Sequence, residues 1–306
     1  MTFFAVRAKE FSPPRRPHAF LQAIDPARRL LRYAYTVTST AIFARDLRFA
    51  SAITRLAAAL LLVSAAAGLA LGARTLYASD PLRLALIAQD AVALVFGLPL
   101  LVISAWSARR GSVRGLLCWI GALFYLAYFW FFHVVGVQLG PLLPAHIAIV
   151  SIGMYGALYL FVGLNAEAVK SRFTMRLKAR SIAIFLMATA AIFAVAWLVL
   201  IVSRARAGEG LDTVTRLVVA VDGVVLLPLM FFGGLWLWRR QPLGDVLAAV
   251  LLVKSVATFL TLAVTSLVTW TAGGQLMILE LAAYGAGLIV ASLLLFNCLA
   301  SLEDNT

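Results

Sequence analysis

Residues 181–203 read SIAIFLMATAAIFAVAWLVLIVS, a continuous apolar run that contains no charged side chain. A helix needs about 20 mostly apolar residues to cross the hydrocarbon core of a bilayer, so this stretch is long enough to span one. Long apolar runs without alternating polarity predict helices rather than barrel strands, because a helix satisfies its own backbone hydrogen bonds in lipid. Such runs occur eight times, at 52–73, 84–106, 114–136, 144–166, 181–203, 216–238, 245–270 and 276–299.

The composition of the whole chain agrees with a lipid environment. Hydrophobic residues make up 63% of the 306 residues and charged residues 13%, against about 25% charged residues in an ordinary soluble domain. The mean hydropathy is +0.98. No continuous apolar core followed by a small-residue cleavage site precedes residue 50, so we expect the first span to remain as an anchor. The sequence therefore predicts an all-α integral membrane protein with eight transmembrane helices.

Basic residues sort to one side of these spans. The net charge is +13, and nineteen of the 26 Lys and Arg residues lie before the first span or near 109–114, 170–180 and 239–240, against five in the opposite loops. This positive-inside pattern predicts that both termini are cytoplasmic. Topology thus accounts for the basic charge without a nucleic-acid partner. The short loops and the excess of Arg over Lys favour a multi-pass protein of the plasma membrane, and in particular of a bacterial inner membrane.

Residues 1–50 are predicted to form a basic cytoplasmic segment. Its first part, 1–18, combines prolines with scattered basic residues and is predicted to be disordered. The stretch from Asp25 to Ala50 mixes arginines with leucines and tyrosines but is too polar to span a bilayer. One interpretation is an amphipathic helix that binds anionic lipids of the inner leaflet. The alternative is a loosely ordered basic tail that only sets the topology.

The two halves of the chain resemble each other span by span. An acidic residue, a Leu-Pro-Leu triplet and an Arg pair recur in the second and sixth spans, and a Tyr-Gly-Ala triplet recurs in the fourth and eighth. The separation between matched elements is nearly constant, which indicates an internal repeat. The matched elements are Asp90 with Asp222, Leu98-Pro99-Leu100 with Leu227-Pro228-Leu229, Arg109-Arg110 with Arg239-Arg240, and Tyr155-Gly156-Ala157 with Tyr284-Gly285-Ala286.

The repeat predicts the domain organisation. Two four-helix transmembrane units, 51–168 and 181–300, are joined by a basic cytoplasmic linker at 169–180 and followed by a cytoplasmic tail at 301–306. Because each unit has an even number of spans, the two copies are parallel and are related by an approximate two-fold axis along the membrane normal. Parallel repeats occur in secondary transporters, whose binding sites lie near the midplane between the copies.

A few charged residues lie inside the predicted spans. A charge near the bilayer centre costs on the order of 3 kcal/mol, so it usually faces protein or water and carries function. Asp90 and Asp222 occupy corresponding positions in the predicted copies, and Gln89 adds a polar neighbour. Lys254 breaks the symmetry, since its counterpart in the first copy is Phe124. We interpret the aspartates and the lysine as lining one polar cavity that binds a substrate or ion; the alternative is a structural ion pair.

Threonines follow Lys254 along one face of the seventh span. Thr258, Thr261, Thr265 and Thr269 stand at i+4, i+7, i+11 and i+15 relative to the lysine, which is helical spacing. One interpretation makes this stripe part of the cavity wall. The other is that the hydroxyls bond to the backbone of their own helix.

Further polar groups lie near the outer ends of the spans. Glu280 has Tyr284 one turn below it on the same face, and the two belong either to the site or to the interface with water. His133 and His146 flank a short outer loop at similar depths, and with Glu280 or an aspartate they are candidate ligands for a transition metal. The alternative is a pair of interfacial histidines. CxxC, HExxH, Walker and GxSxG motifs are absent from the sequence, so no other cofactor is predicted.

These features favour a secondary or proton-linked transporter of a small polar or cationic solute, with its site between the two repeats. The expected partners are the lipid bilayer, that solute or a proton, and anionic lipids at the N-terminal segment. Two alternatives stay open. One is an intramembrane enzyme that acts on a lipid-linked substrate through the outer acids and histidines, and the other is a sensory or assembly subunit whose buried charges are structural.

Overall fold

The computed structural model describes residues 42–43, 46–71, 80–136, 140–174 and 176–303. The described residues are mostly helical and form no strand, apart from two isolated bridges. The predicted all-α class is confirmed for them, whereas most of the predicted N-terminal segment lies outside them. The helices are α1 (Leu47–Leu71), α2 (Asp80–Val92), α3 (Leu98–Arg109), α4 (Val113–Gly136), α5 (Leu143–Gly163), α6 (Ala166–Lys170), α7 (Ala179–Arg206), α8 (Thr213–Val221), α9 (Leu227–Trp238), α10 (Pro242–Thr271) and α11 (Ile278–Ala300), with π-helical segments at Ala93–Gly97 and Asp222–Leu226.

Eight helical stretches of the described chain are long and apolar enough to cross a membrane. Six are single helices, and two are composite. The first composite stretch joins α2 to α3 through the π segment at Ala93–Gly97, and the second joins α8 to α9 through the π segment at Asp222–Leu226. Each predicted span overlaps one of the eight stretches, so the predicted number of helices is confirmed.

A proline explains the interruption in each composite stretch. Pro99 and Pro228 lie in the first turns of α3 and α9. Proline has no N–H to donate, and its ring crowds the carbonyl one turn earlier, so a regular α-helix is disturbed there. In each stretch a π-helical segment ends two residues before the proline. Such turns are frequent at functional sites.

The two π segments give one register in which the second and sixth spans can be compared. They begin at Ala93 and Asp222, and each ends directly before a Leu-Pro pair. In this register Asp222 matches Ala93, while Asp90 lies almost one turn earlier in its helix. The prediction paired Asp90 with Asp222, whereas the register of the π segments pairs Ala93 with Asp222, because the two aspartates lie at different distances from their prolines.

Helices α4 and α10 pack against each other at the centre of the bundle. In the apolar windows of these helices 72% and 78% of residues are buried, against 11% in α7 and 6% in α11. Gly121 permits the close approach of α4 to α10, because a Cβ at this position would lie 2.7 Å from the Cβ of Val253. The exposed faces of α7 and α11 are apolar, as expected for helices in contact with lipid.

The connection between the two halves is tied to the last described residues. Asn165 caps α6, its side chain accepting a hydrogen bond from the N–H of Ala168 at 3.2 Å. Farther along, the N–H of Thr174 donates to the carbonyl of Ser301 at 2.8 Å. The guanidinium of Arg114 donates to the carbonyl of Leu302. The predicted basic linker thus begins within a short helix and is held by backbone hydrogen bonds.

Candidate functional site

A cavity of about 620 Å³ lies beside the central pair of helices. Its walls come from α2, α4, α7, α8, α9, α10 and α11 and from the second π segment. Asp212 is exposed and marks the mouth, whereas Lys254, which is 1% exposed, lies among the innermost residues. The volume falls within the range of about 300–1,000 Å³ that is usual for pockets that bind small molecules.

Asp212 lies at the N-cap of α8, at the end of the bundle predicted to face the outside. Its side chain accepts hydrogen bonds from the N–H groups of Val214 at 3.1 Å and Thr215 at 3.0 Å. Hydrogen bonds from Thr215 and Val214 hold the pKa of Asp212 below its usual value, so the mouth carries a negative charge at neutral pH.

Asp222 is the first residue of the second π segment and is 4% exposed. Each of its carboxylate oxygens accepts a hydrogen bond from an aromatic side chain on a different helix. The hydroxyl of Tyr128 on α4 donates to Oδ1 at 2.5 Å, and the indole N–H of Trp197 on α7 donates to Oδ2 at 3.0 Å. Each oxygen of this buried carboxylate therefore already has one hydrogen-bond donor.

Lys254 projects from α10 over the face of Tyr128, with its ammonium 3.8 Å from the ring centroid. The ring of Phe129 lies 6.0 Å away. A cation over an aromatic face is attracted by the ring quadrupole. Among the described residues, no oxygen accepts a hydrogen bond from this ammonium. Tyr128 therefore links the two charges of the site, because its ring holds the lysine and its hydroxyl holds Asp222.

Gln89 contributes a third polar group to the same cavity. It lies on α2 and is 7% exposed. Its carboxamide oxygen accepts no hydrogen bond within the described part of the chain. A buried acceptor without a donor is costly, so such a group is a candidate contact for a bound molecule.

Asp90 lies in a second cluster and does not line the cavity. It is fully buried, and one of its carboxylate oxygens lies 3.2 Å from Nε2 of His133, which is also fully buried. The structure thus brings Asp222 and Lys254 to one cavity and separates Asp90 from them. The difference follows from the helix register, since Asp90 precedes the first π segment whereas Asp222 opens the second one.

The two histidines lie side by side in this second cluster. Their ring centroids are 5.4 Å apart, and the ring of Trp130 stacks on His133 at 4.7 Å. His146 lies 2.8 Å from the hydroxyl of Ser64 through Nε2. Glu280 is exposed in the first turn of α11. No three His, Cys, Asp or Glu side chains among the described residues are arranged to hold a metal ion, so the metal hypothesis has no third ligand there.

The threonines of the stripe differ in whether they line the cavity, but three of them make the same hydrogen bond. Thr258 lines the cavity, whereas Thr261 is buried away from it. The hydroxyls of Thr258, Thr261 and Thr265 each donate to the carbonyl one turn earlier at 2.8 Å. Bonding to the helix backbone, the structural alternative, thus describes all three. Tyr284 lines the cavity from α11, one turn beyond the exposed Glu280.

Tyr128 and Trp197 were missed by the sequence analysis. Tyr128 lies in the aromatic run FYLAYFWFF at 124–132, where any ring is expected to pack in the core. Trp197 resembles the interfacial tryptophans of membrane proteins. One feature of the sequence could have identified them. Each side chain carries a hydrogen-bond donor, and burying a donor within the membrane without an acceptor is costly, so the two donors indicate a buried acid nearby.

The fold and the site define an α-helical multi-spanning membrane protein with a charged cavity beside its central helices. Comparison of the chain with protein-family models, with curated proteins and with solved structures gives no match. The proposed function therefore rests on the residues of the cavity and their chemistry.

Proposed function

We propose that the protein is a secondary carrier that binds a small solute in the cavity and a coupling proton or cation at Asp222. The observation that carries this proposal is an open cavity of about 620 Å³ with Asp222 and Lys254 in its wall. Charged residues inside transmembrane helices are expensive, and they commonly mark solute or ion pathways. A purely structural ion pair would be in direct contact and packed on all sides, whereas Lys254 forms no ion pair with a described carboxylate and both charged residues line the cavity.

The proposal includes the two-fold repeat and cytoplasmic termini. Three pairs of element boundaries support the repeat. The same number of residues separates the starts of the two π segments, the starts of the helices that follow them, and the starts of the central helices α4 and α10. In parallel-repeat transporters the solute site lies between the copies, and the copies rock against each other. The cavity fits that place, since α2 and α4 belong to the proposed first copy and its remaining walls to the second.

Asp222 and Lys254 supply a means of coupling. Protonation of Asp222 removes the negative charge that offsets the lysine, and it converts an acceptor of two hydrogen bonds into a group that also donates. Tyr128 contacts both charged groups, so a change in the charge of either one acts on the same side chain. Solute binding at Lys254 and proton binding at Asp222 are therefore linked, as coupled transport requires.

Flux through proteoliposomes tests the proposal. Purified full-length chain is reconstituted, and uptake of tritiated 3-phenylpropionate, L-phenylalanine and 2-phenylethylamine is compared with uptake by protein-free liposomes. We expect saturable uptake of at least one probe that depends on an imposed pH gradient, and we expect Asp222→Asn to abolish this dependence. Uptake equal to that of protein-free liposomes for all three probes, with folded protein in the membrane, would overturn the proposal.

A further inference from the structure

We propose that the cavity binds a small amphipathic organic acid whose carboxylate contacts the ammonium of Lys254, whose donor group contacts Gln89 and whose apolar body lies against the aromatic walls. The inference rests on the proposed function only in taking the cavity as a binding site. The sequence favoured a small polar or cationic solute; the structure argues against the cationic alternative, because of which polar groups already have partners.

The ammonium of Lys254 has no hydrogen-bond acceptor among the described residues. Its neighbours are ring faces, with Tyr128 at 3.8 Å and Phe129 at 6.0 Å from the ring centroids. An ammonium has three hydrogens to donate, and ring faces attract a cation without replacing the hydrogen bonds lost on burial. A carboxylate completes this site, because charge-assisted hydrogen bonds are roughly twice as strong as neutral ones.

Asp222 is in the opposite situation. Both of its oxygens already accept hydrogen bonds, from Tyr128 and from Trp197. A cationic solute would have to compete with these donors or add to them, whereas an anionic group at the lysine displaces nothing. Asp212 at the mouth is exposed to solvent and caps its own helix, so water and salt screen its charge from the interior.

Gln89 specifies a second polar contact. Its side chain lines the cavity, and its carbonyl oxygen lacks a donor among the described residues. A hydroxyl or amino group on the ligand would supply that donor. Lys254 therefore binds the carboxylate of the ligand and Gln89 binds its donor group, and the two residues lie on different helices.

The remaining walls determine the body of the ligand. Polar residues are few among them, and the aromatic rings that line the cavity include Phe129, Phe132, Phe193 and Phe259. Aromatic walls contribute apolar contact area and offset stacking to a ring, and they disfavour a highly hydrated solute such as a sugar. The predicted class is therefore an acid with an aryl or branched aliphatic body.

A series of three probes of common shape tests the class by binding alone. 3-Phenylpropionate, L-phenylalanine and 2-phenylethylamine have the same ring and nearly the same length but carry an anionic, a zwitterionic and a cationic head. Binding to the detergent-solubilised full-length chain is measured by isothermal titration and by thermal stabilisation. We expect the two carboxylates to bind and the amine to bind at least about tenfold more weakly, the loss expected from one charge-assisted hydrogen bond. Equal binding of all three, or preference for the amine, would overturn the inference.

Variants assign the carboxylate contact to Lys254. We expect Lys254→Met to abolish the preference for the acids and Lys254→Arg to retain it. Thr265→Val is the matched control on the same helix, because this side chain bonds to its own backbone and does not line the cavity; it should bind as the wild type does. Gln89→Leu gives an independent test if Lys254→Met fails to fold. It should weaken L-phenylalanine more than 3-phenylpropionate, and equal weakening would contradict the assignment of Gln89.

Failure of this inference and failure of the carrier proposal give different results. Selective binding of the acids without flux leaves the ligand class standing and removes the carrier. Gradient-dependent flux of the amine without binding of the acids leaves the carrier standing and removes the ligand class.

Discussion

Tyr128→Phe is the most informative single change, because it deletes the hydroxyl that donates to Asp222 at 2.5 Å and keeps the ring that lies 3.8 Å from the ammonium of Lys254. A hydrogen bond to a buried charged group contributes about 1.5–3 kcal/mol. Tyr128 is half-buried, and Trp197 still serves the other oxygen, so we expect a loss near the middle of this range, about 2 kcal/mol. The free energy of unfolding in mixed micelles, followed by circular dichroism, measures it.

A double-mutant cycle isolates the hydrogen bond from other effects of the change. The cycle combines Tyr128→Phe with Asp222→Leu, which removes the acceptor at similar volume. We expect a coupling free energy of at least about 1.5 kcal/mol. The control, Tyr155→Phe, changes a side chain that is 63% exposed, so it should alter stability by no more than about 0.5 kcal/mol. A coupling below about 0.5 kcal/mol would show that Tyr128 does not hold Asp222 in the folded protein.

Three further predictions concern the charges, the packing and the topology. Lys254→Met should abolish coupled uptake without destabilising the protein, because the ammonium forms no ion pair with a described carboxylate and both oxygens of Asp222 keep their donors; adding Asp222→Asn should not restore the uptake, and both variants are measured on the reconstituted chain. Gly121→Ala should cost about 1–3 kcal/mol of unfolding free energy, since the new Cβ overpacks the contact between α4 and α10. Single cysteines at 271–275 should react with an impermeant maleimide added outside intact cells, whereas those at 170–178 should not.

Controls accompany these three predictions. Gly285→Ala introduces the same methyl group where nothing lies within 4 Å, so it should be neutral or stabilise by up to about 1 kcal/mol. If Gly121→Ala behaved in the same way, the close packing of the central helices would be wrong. Recovery of coupled uptake in the double variant at Lys254 and Asp222 would show that neither charge takes part in transport. Labelling at 170–178 from outside would invert the predicted topology.

The sequence predicted the helices well because the physical requirement on them is simple. A run of about 20 apolar residues is needed for each span, and every predicted run overlaps an observed helix. The sequence also singled out Asp222 and Lys254, because charge is rare and costly in such runs. The rarity of buried charge singled out Asp90 as well. It does not show whether a buried charge lines a cavity, as Asp222 does, or lies in a packed cluster, as Asp90 does. That distinction depends on how helices are rotated about their axes, which is set by packing and not by composition.

The π segments show why register limited the prediction of the site. Both segments begin at the same distance before their proline, so in the proposed repeat residues correspond at the separation of the prolines and not at the larger separation of the two aspartates. The chain is longer between Asp90 and Pro99 than between Asp222 and Pro228. The prolines are the elements that keep register, because the break in the helix is tied to them. Aligning the copies on the prolines would have separated the two aspartates from the sequence alone.

In the register of the π segments, Lys254 corresponds to Tyr125 rather than to Phe124, Asp222 to Ala93, and Trp197 to Gly68. Tyr125 is fully buried, and it closely approaches Gly97, at which a Cβ would lie 2.9 Å from the tyrosine ring. In the first half a packed tyrosine ring thus stands where the second half has Lys254. Asp222 and Trp197 correspond to the small residues Ala93 and Gly68. If the halves arose by duplication, the first copy retained the scaffold and closed its own site. In that case Tyr128 and Gln89 of the first half complete a cavity formed mainly by the second half, and the asymmetry of the cavity resides in very few side chains.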